Sequence, residues 1–237
     1  MTKFDTILWD VDQTLLDFSR SQRYALEESF CRFGRDTKEE MVILYTKIND
    51  SYWKRYELGE VTKEELLTGR FASLFSIMGI GDIPVEEFAA IYQKALGEVY
   101  YFCDQAGELC LRLKKVVRQY AVTNGVSATQ RNKLRLSGLD QILDGIFISE
   151  ELGYPKPCRE YFESCFSRIP EFKRERALIV GDSLSSDIQG GNNAGIACCW
   201  YNPWKKAKDR EVRIDYEIRN LWELEGILSW QNLPTRS

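Results

Sequence analysis

Histidine is missing from this chain altogether: none of its 237 residues is one. That excludes Ser-His-Asp and Cys-His catalysis, and most zinc chemistry with them. Any acid–base work falls to carboxylates, Lys, Tyr or metal-bound water. Paired cysteine motifs are missing too. The seven cysteines, at 31, 103, 110, 158, 165, 198 and 199, are odd in number and show no C-x-x-C spacing. Both a disulfide framework and a zinc site are therefore disfavoured. Cys198 and Cys199 lie inside an apolar run and are expected as small core residues. No apolar stretch approaches the roughly 20 residues of a membrane span, and no basic-then-apolar leader precedes the strand-like run at 4–9. An excess of positive charge is also lacking. A net charge of -4 and a pI near 5.2 give no attraction for a nucleic acid polymer or an anionic membrane. The expected setting is cytoplasmic, as a monomer or small homo-oligomer.

What is present has the balance of an ordinary globular protein, 44% hydrophobic and 29% charged. The length suits one large domain or a core with an insertion. Five short apolar runs, at 6–9, 120–123, 145–148, 177–181 and 196–200, lack clean alternation, as strands covered on both faces should. Helical stretches fall between them at 109–118, 128–136 (with Ser127 as expected N-cap), 159–168 and 187–193, and a last one at 221–230 is expected to pack outside. Strand–helix alternation of this kind implies an α/β fold with a parallel sheet and right-handed crossovers. The tail from Pro234 to Ser237 is expected to fray.

The segment 17–102 breaks that alternation. It holds four amphipathic helical patterns and no convincing strand. One, with Tyr24, Leu26, Phe30 and Phe33, closes at Gly34. Another carries Met41, Leu44, Tyr45, Ile48 and Tyr52. A third opens on Thr62 with Glu65 in capping-box spacing, and a fourth starts near Pro84. The expected division is a catalytic core of 1–16 and 103–237 with a helical cap of 17–102. An insertion directly after the first strand is expected over the C-terminal sheet edge, where a lid belongs. Its aromatics Tyr45, Tyr52, Trp53 and Tyr56 have the helical spacing of core residues more than of a base-stacking surface.

Polar residues collect just past the apolar runs, which in an open α/β sheet is the ligand edge. Asp10, Asp12 and Thr14 follow the first run, Thr123 and Asn124 the second. Lys156 follows the third, and Asp182 and Asp187 the fourth. Two carboxylates as close as Asp10 and Asp12 repel by about 4 kcal/mol at 4 Å with an effective dielectric near 20, and a phosphate dianion makes matters worse. A divalent cation resolves this, and oxygen ligands beside a phosphate suit Mg2+. Asp10, Asp12, Asp182 and Asp187 are the candidate metal residues, Asp187 directly or through water. Asp10 is placed as nucleophile toward phosphorus, and Asp12 as acid toward the leaving alcohol and then base toward water. Lys156 supplies positive charge, and Thr123, Asn124 and nearby backbone N–H groups can hold phosphoryl oxygens. The Lys205, Lys206 and Lys208 cluster reads as a solvated loop.

Asp10-Val11-Asp12-Gln13-Thr14, Thr123-Asn124-Gly125, Lys156-Pro157 and Gly181-Asp182-Ser183 with Asp187 resemble, in order and strand placement, the four motifs of the haloacid dehalogenase-like superfamily. The resemblance covers nearly the whole chain and implies a Rossmann-like core with a C1-type helical cap. One departure is Gln13, where many members carry Gly. The runs from Trp9 to Leu15, from Thr123 to Val126 and from Ser149 to Gly153 are similar to those of the branch of pyrimidine nucleoside 5′-monophosphatases. That resemblance implies a magnesium-dependent phosphomonoesterase acting on a small phosphate ester. Asp12 discriminates within the superfamily, since dehalogenases need no acid for a halide. Left open are a sugar phosphatase, a phosphomutase of the β-phosphoglucomutase kind, a phosphonatase using one of Lys38, Lys47, Lys54 or Lys63, and a non-enzymatic phospho-Asp signalling protein.

Overall fold

Every side chain of β1 (Thr6–Trp9) is buried, which a four-residue strand achieves only at the middle of a covered sheet. The computed structural model describes residues 2–228. The chain divides into two compact units, one running to Asp17 and resuming at Phe102, the other Phe18–Tyr101.

In the first unit, β1, β2 (Arg118–Thr123), β3 (Gly145–Ile148), β4 (Ala177–Gly181), β5 (Ala197–Tyr201) and β6 (Tyr216–Ile218) form one parallel sheet in the order β3-β2-β1-β4-β5-β6. Its register puts Trp9 beside Ala121 on one side and Val180 on the other. Apolar clusters cover both faces, one around Ile7, Trp9 and Leu178, the other around Leu8, Val122, Tyr161 and Ile179. Cys198 and Cys199 are fully buried, one in each cluster. All seven cysteines are free thiols. The chain leaves β1 toward β2 and β3, then crosses back to β4, so the topological switch lies between β1 and β4.

The second unit is helical: α1 (Phe18–Arg32), α2 (Glu39–Glu57), α3 (Lys63–Met78) and α4 (Val85–Gly97). Phe30, Tyr45, Phe71, Phe75, Phe88 and Tyr92 fill its core. The Thr62–Glu65 capping box is formed, with the Thr62 N–H donating to Glu65 Oε2 at 2.7 Å and the Glu65 N–H to Thr62 Oγ1 at 3.2 Å. Gly34 takes φ 67° just past α1, and Pro84 precedes α4.

The remaining helices belong to the first unit: α5 (Ala106–Leu113), α6 (Ser127–Leu136), α7 (Leu139–Ile142), α8 (Ser149–Leu152), α9 (Arg159–Phe166), α10 (Gln189–Ala194) and α11 (Leu224–Ile227). The helix expected at 109–118 ends early, because Arg118 enters β2 and donates its N–H to the Asp5 carbonyl at 2.9 Å. Ser127 is the first helical residue of α6 and not its cap; the Glu150 carboxylate accepts the Ser127 N–H at 2.7 Å and stands in for the cap. The helix expected at 187–193 begins as a widened turn, Leu184–Ile188, before α10. β6, three residues at the sheet edge, carries too little pattern to be expected. The helix expected at 221–230 comprises a tight turn at Leu221–Glu223 and α11; its end and the tail from Pro234 lie outside the described residues. Among the described residues no helix is long and apolar enough to cross a membrane.

Candidate active site

Three adjacent strands deliver the chemistry. Asp10 follows β1, and its N–H continues the ladder to the Val180 carbonyl at 2.9 Å. Thr123 ends β2, buried, and its hydroxyl accepts the Gly125 N–H at 3.0 Å. Gly181 ends β4, and Asp182 comes next. The site therefore sits where the strand order reverses, the crevice position of open α/β sheets.

Lys156 arrives from the loop after α8 and is 1% exposed. All three of its ammonium hydrogens are used, on Asp10 Oδ1 at 2.7 Å, Asp187 Oδ1 at 2.7 Å and the Val122 carbonyl at 2.9 Å. The Asn124 side chain holds the Lys156 backbone from both ends. It donates to the Lys156 carbonyl at 2.9 Å and accepts the Lys156 N–H at 2.8 Å. Asp187 is buried; its second oxygen accepts the Ser183 N–H at 3.1 Å. Asp182 presents its Oδ2 3.6 Å from the Lys206 ammonium, while Trp200 Nε1 donates to its carbonyl at 2.9 Å.

Asp10, Asp182 and Asp187 each bring one carboxylate oxygen into a group whose members lie within 4.8 Å of one another. The Asp12 carboxylate is engaged elsewhere. One of its oxygens accepts from the Lys133 ammonium and the other from Gln130 Nε2, both on α6. Lys133 is fully buried. Asp10, Asp182, Asp187 and Lys156 are thus one cluster, with Thr123 and Asn124 on its β2 side.

Lys133, Gln130 and Lys206 are site residues that sequence reasoning missed. Positions 130 and 133 share a helix face behind the strand end that carries Thr123, and that spacing was the available signal. Lys206 lies in a loop whose sequence reads as solvated. Its side chain is 55% exposed, yet Asn202 pins the loop, donating to the Lys206 carbonyl at 3.0 Å and accepting its N–H at 2.8 Å. The aromatics of the second unit divide. Tyr45 is core, stacked on Phe71 at 5.2 Å between centroids. The Tyr52 hydroxyl lies 3.0 Å from Ser73 Oγ. Trp53 and Tyr56 share the Lys63 ammonium, 4.7 and 5.2 Å from their ring centres.

The electrostatics are those of too many carboxylates for the cations at hand. Burial, and then the charge of Asp187, push the Asp10 carboxyl well above its usual range, against the pull of Lys156. Burial and Asp187 also push Asp182 up to about 7, with Lys206 offsetting part of the effect. Burial opposes the Lys156 charge, but Asp10 and Asp187 overcome it and hold the ammonium above its ordinary range. Asp10 Oδ2 is buried with no hydrogen-bond partner among the described residues. An acceptor in that position normally has a partner, and three convergent carboxylates are the donor set of a hard divalent cation. The residues fit such an ion.

A family model described as haloacid dehalogenase-like hydrolase matches residues 4–195. The chain is 39% identical over 236 residues to HAD-hydrolase YfnB of Bacillus subtilis, covering 98% of each. It is 35% identical to the pyrimidine 5′-nucleotidase PynA of Streptococcus pneumoniae, covering 92% of each chain. The pyrimidine 5′-nucleotidase YjjG of Escherichia coli is 31% identical, over 95% of this chain and 98% of that protein. A crystal structure of YfnB bound to magnesium superposes with a TM-score of 0.92, covering 96% of this chain and 100% of that one. Motif order, the carboxylate cluster at the strand switch and these likenesses agree, and the chain belongs to the haloacid dehalogenase-like hydrolases.

Proposed function

We propose that the chain is a magnesium-dependent phosphomonoesterase working through an aspartyl phosphate on Asp10, with a pyrimidine nucleoside 5′-monophosphate as favoured substrate. The observation that carries this is Asp10 itself: buried, tied through one oxygen to Lys156 and with its other oxygen unpartnered among the described residues. The named activities of PynA and YjjG support the substrate class.

Asp10, Asp182 and Asp187 would hold the ion through their carboxylates. When bound, the cation supplies the positive charge that lets a phosphate dianion approach them and that stabilises charge in transfer. Lys156 keeps the unattacking oxygen of Asp10 fixed and adds charge to the transferring group. The Thr123 hydroxyl, the Asn124 backbone and the N–H groups following Asp10 receive phosphoryl oxygens. Asp12, partly open to solvent, gives a proton to the leaving oxygen and later takes one from water. Phosphoryl transfer depends mainly on positioning and charge stabilisation, and this inventory meets both needs. The free thiols suit a cytoplasmic, reducing setting.

The test is a panel of phosphate esters with and without magnesium. Nucleoside 5′-monophosphates are expected to be hydrolysed well ahead of sugar phosphates, and fluoroberyllate is expected to inhibit. Asp10→Asn should abolish turnover. Full activity in that variant would remove Asp10 as nucleophile, and preference for a sugar phosphate would transfer the assignment to the sugar phosphatase or mutase reading.

A further inference from the structure

A lysine with no solvent exposure is rare without a paired charge, and Lys133 spends its charge on Asp12. From one turn earlier on α6, Gln130 donates to the other Asp12 oxygen. Gln130 is 1% exposed, and its own Oε1 is buried without a partner among the described residues. The amide thus serves Asp12 at the cost of an unsatisfied acceptor, which local packing alone does not explain. Gly125 makes the arrangement possible: a Cβ there would overlap the Gln130 side chain. The Asp12 side chain remains 26% exposed, so the clamp covers one flank of the carboxylate and leaves the other open.

We propose that Lys133 and Gln130 are positioning residues that clamp Asp12 for proton transfer in both halves of the reaction. The inference rests on the aspartyl-phosphate reading above. In the first half, an Asp10 oxygen bonds to phosphorus and the bond to the leaving oxygen breaks. Its electron pair stays on that oxygen, which takes the Asp12 proton and departs as the alcohol. In the second half, Asp12 takes a proton from water as the water oxygen bonds to phosphorus. The bond to Asp10 breaks, its electron pair returns to the carboxylate, and inorganic phosphate leaves. Each carboxylate oxygen has about two acceptor directions. The clamp occupies one on each oxygen and fixes the plane of the group, so the open flank meets first the leaving oxygen and then the water.

The leaving group separates this role from a structural one. p-Nitrophenolate departs without a proton, whereas a nucleoside needs one. With magnesium supplied to the full chain, Lys133→Met is expected to release about one nitrophenolate per chain in a burst and then turn over about 100-fold more slowly than the parent, the scale of a lost acid–base contribution. With a nucleoside 5′-monophosphate the same variant should show no burst. Lys133→Arg should restore turnover to within about threefold, and adding Lys133→Met to Asp12→Asn should cost nothing further, as expected of residues acting as one unit. Unchanged turnover, slower turnover of nitrophenyl phosphate without a burst, a burst of equal size with the nucleotide, or a further loss on top of Asp12→Asn would overturn the clamp. If Lys133→Met does not fold, Gln130→Met decides: a burst followed by about tenfold slower turnover supports the clamp, parental behaviour refutes it. A parent chain that hydrolyses neither ester would sink the phosphatase reading itself; an active parent matched by its Lys133→Met variant would sink only the clamp.

Discussion

Gly181 and Asp187 occupy each other's space: a Cβ on Gly181 would overlap the Asp187 carboxyl group. The close approach lets Asp187 turn back under β4 and meet Lys156 at 2.7 Å. Gly181→Ala is therefore expected to push the carboxylate out of the cluster. Overpacking of this kind costs about 1–3 kcal/mol, readable by urea unfolding. Magnesium affinity should fall by about tenfold or more, as when a supporting contact of a metal site is lost, measured by calorimetry. Unaltered affinity would show that Asp187 has no part in holding the ion.

The raised carboxyls of Asp182 and Asp10 set a pH dependence. Asp182 titrates near 7 in the folded chain, against 3.8 for an ordinary Asp, because of burial and then the Asp187 charge. Between those values the folded chain keeps a proton that the unfolded chain has released. The linked stability is therefore fully present below about pH 4 and is lost as pH rises through 7. In chelator, unfolding free energy is expected to drop by about 2–4 kcal/mol from pH 5 to pH 8. Saturating magnesium should flatten or reverse the slope, since the ion requires the ionised carboxylates. A metal-free chain that gains stability across this range would contradict the like-charge crowding.

How far the site could be read in advance follows from what each residue does. Asp10, Thr123 and Asp182 lie at or just past the ends of strands buried on both faces, and such strands show as apolar runs with abrupt polar ends. Thr62 and Glu65 were legible because a capping box is local. Lys133 was not: on a helix it has the pattern of a solvated face, and only the position of Asp12, 121 residues away, makes it a buried ion pair. Lys206 depends likewise on Asn202 closing its loop. The end of α5 was overrun because helical periodicity continues into residues that the Asp5 carbonyl claims for β2. Local signals survive in sequence, whereas pairings made by the tertiary fold do not.

Asn124 is a bracket for Lys156 as well as a strand-end neighbour of the proposed phosphoryl site. Its side chain makes two buried hydrogen bonds to the Lys156 backbone. Asn124→Ala leaves both of those groups unpaired and is expected to cost about 2–4 kcal/mol. Asn124→Asp retains the acceptor but sets an anionic oxygen against the Lys156 carbonyl, so it should be at least as damaging. A direct role for the amide in gripping substrate predicts mainly a higher KM. A bracket predicts lower stability and kcat with KM little changed, and denaturation together with steady-state kinetics separates the two.

Gln13 carries a cost that its family resemblance makes testable. It adopts φ 67°, and its N–H donates to the Leu16 carbonyl at 2.7 Å, closing the turn after Asp12. An L side chain in this left-handed conformation costs roughly 1–2 kcal/mol, whereas glycine enters it freely but gives up more chain entropy on folding, about 0.5–1 kcal/mol. Gln13→Gly is therefore expected to stabilise the protein by about 0.5–1 kcal/mol, which at this chain length raises Tm by about 1–4 °C. Gln13→Val should lower it, because a branched Cβ fits the turn least well. Phosphatase activity of the glycine variant is measured beside its Tm, and parental activity would confine the role of Gln13 to the turn. Loss of activity alongside the gain in Tm would mean that the Gln13 side chain itself contributes to the site.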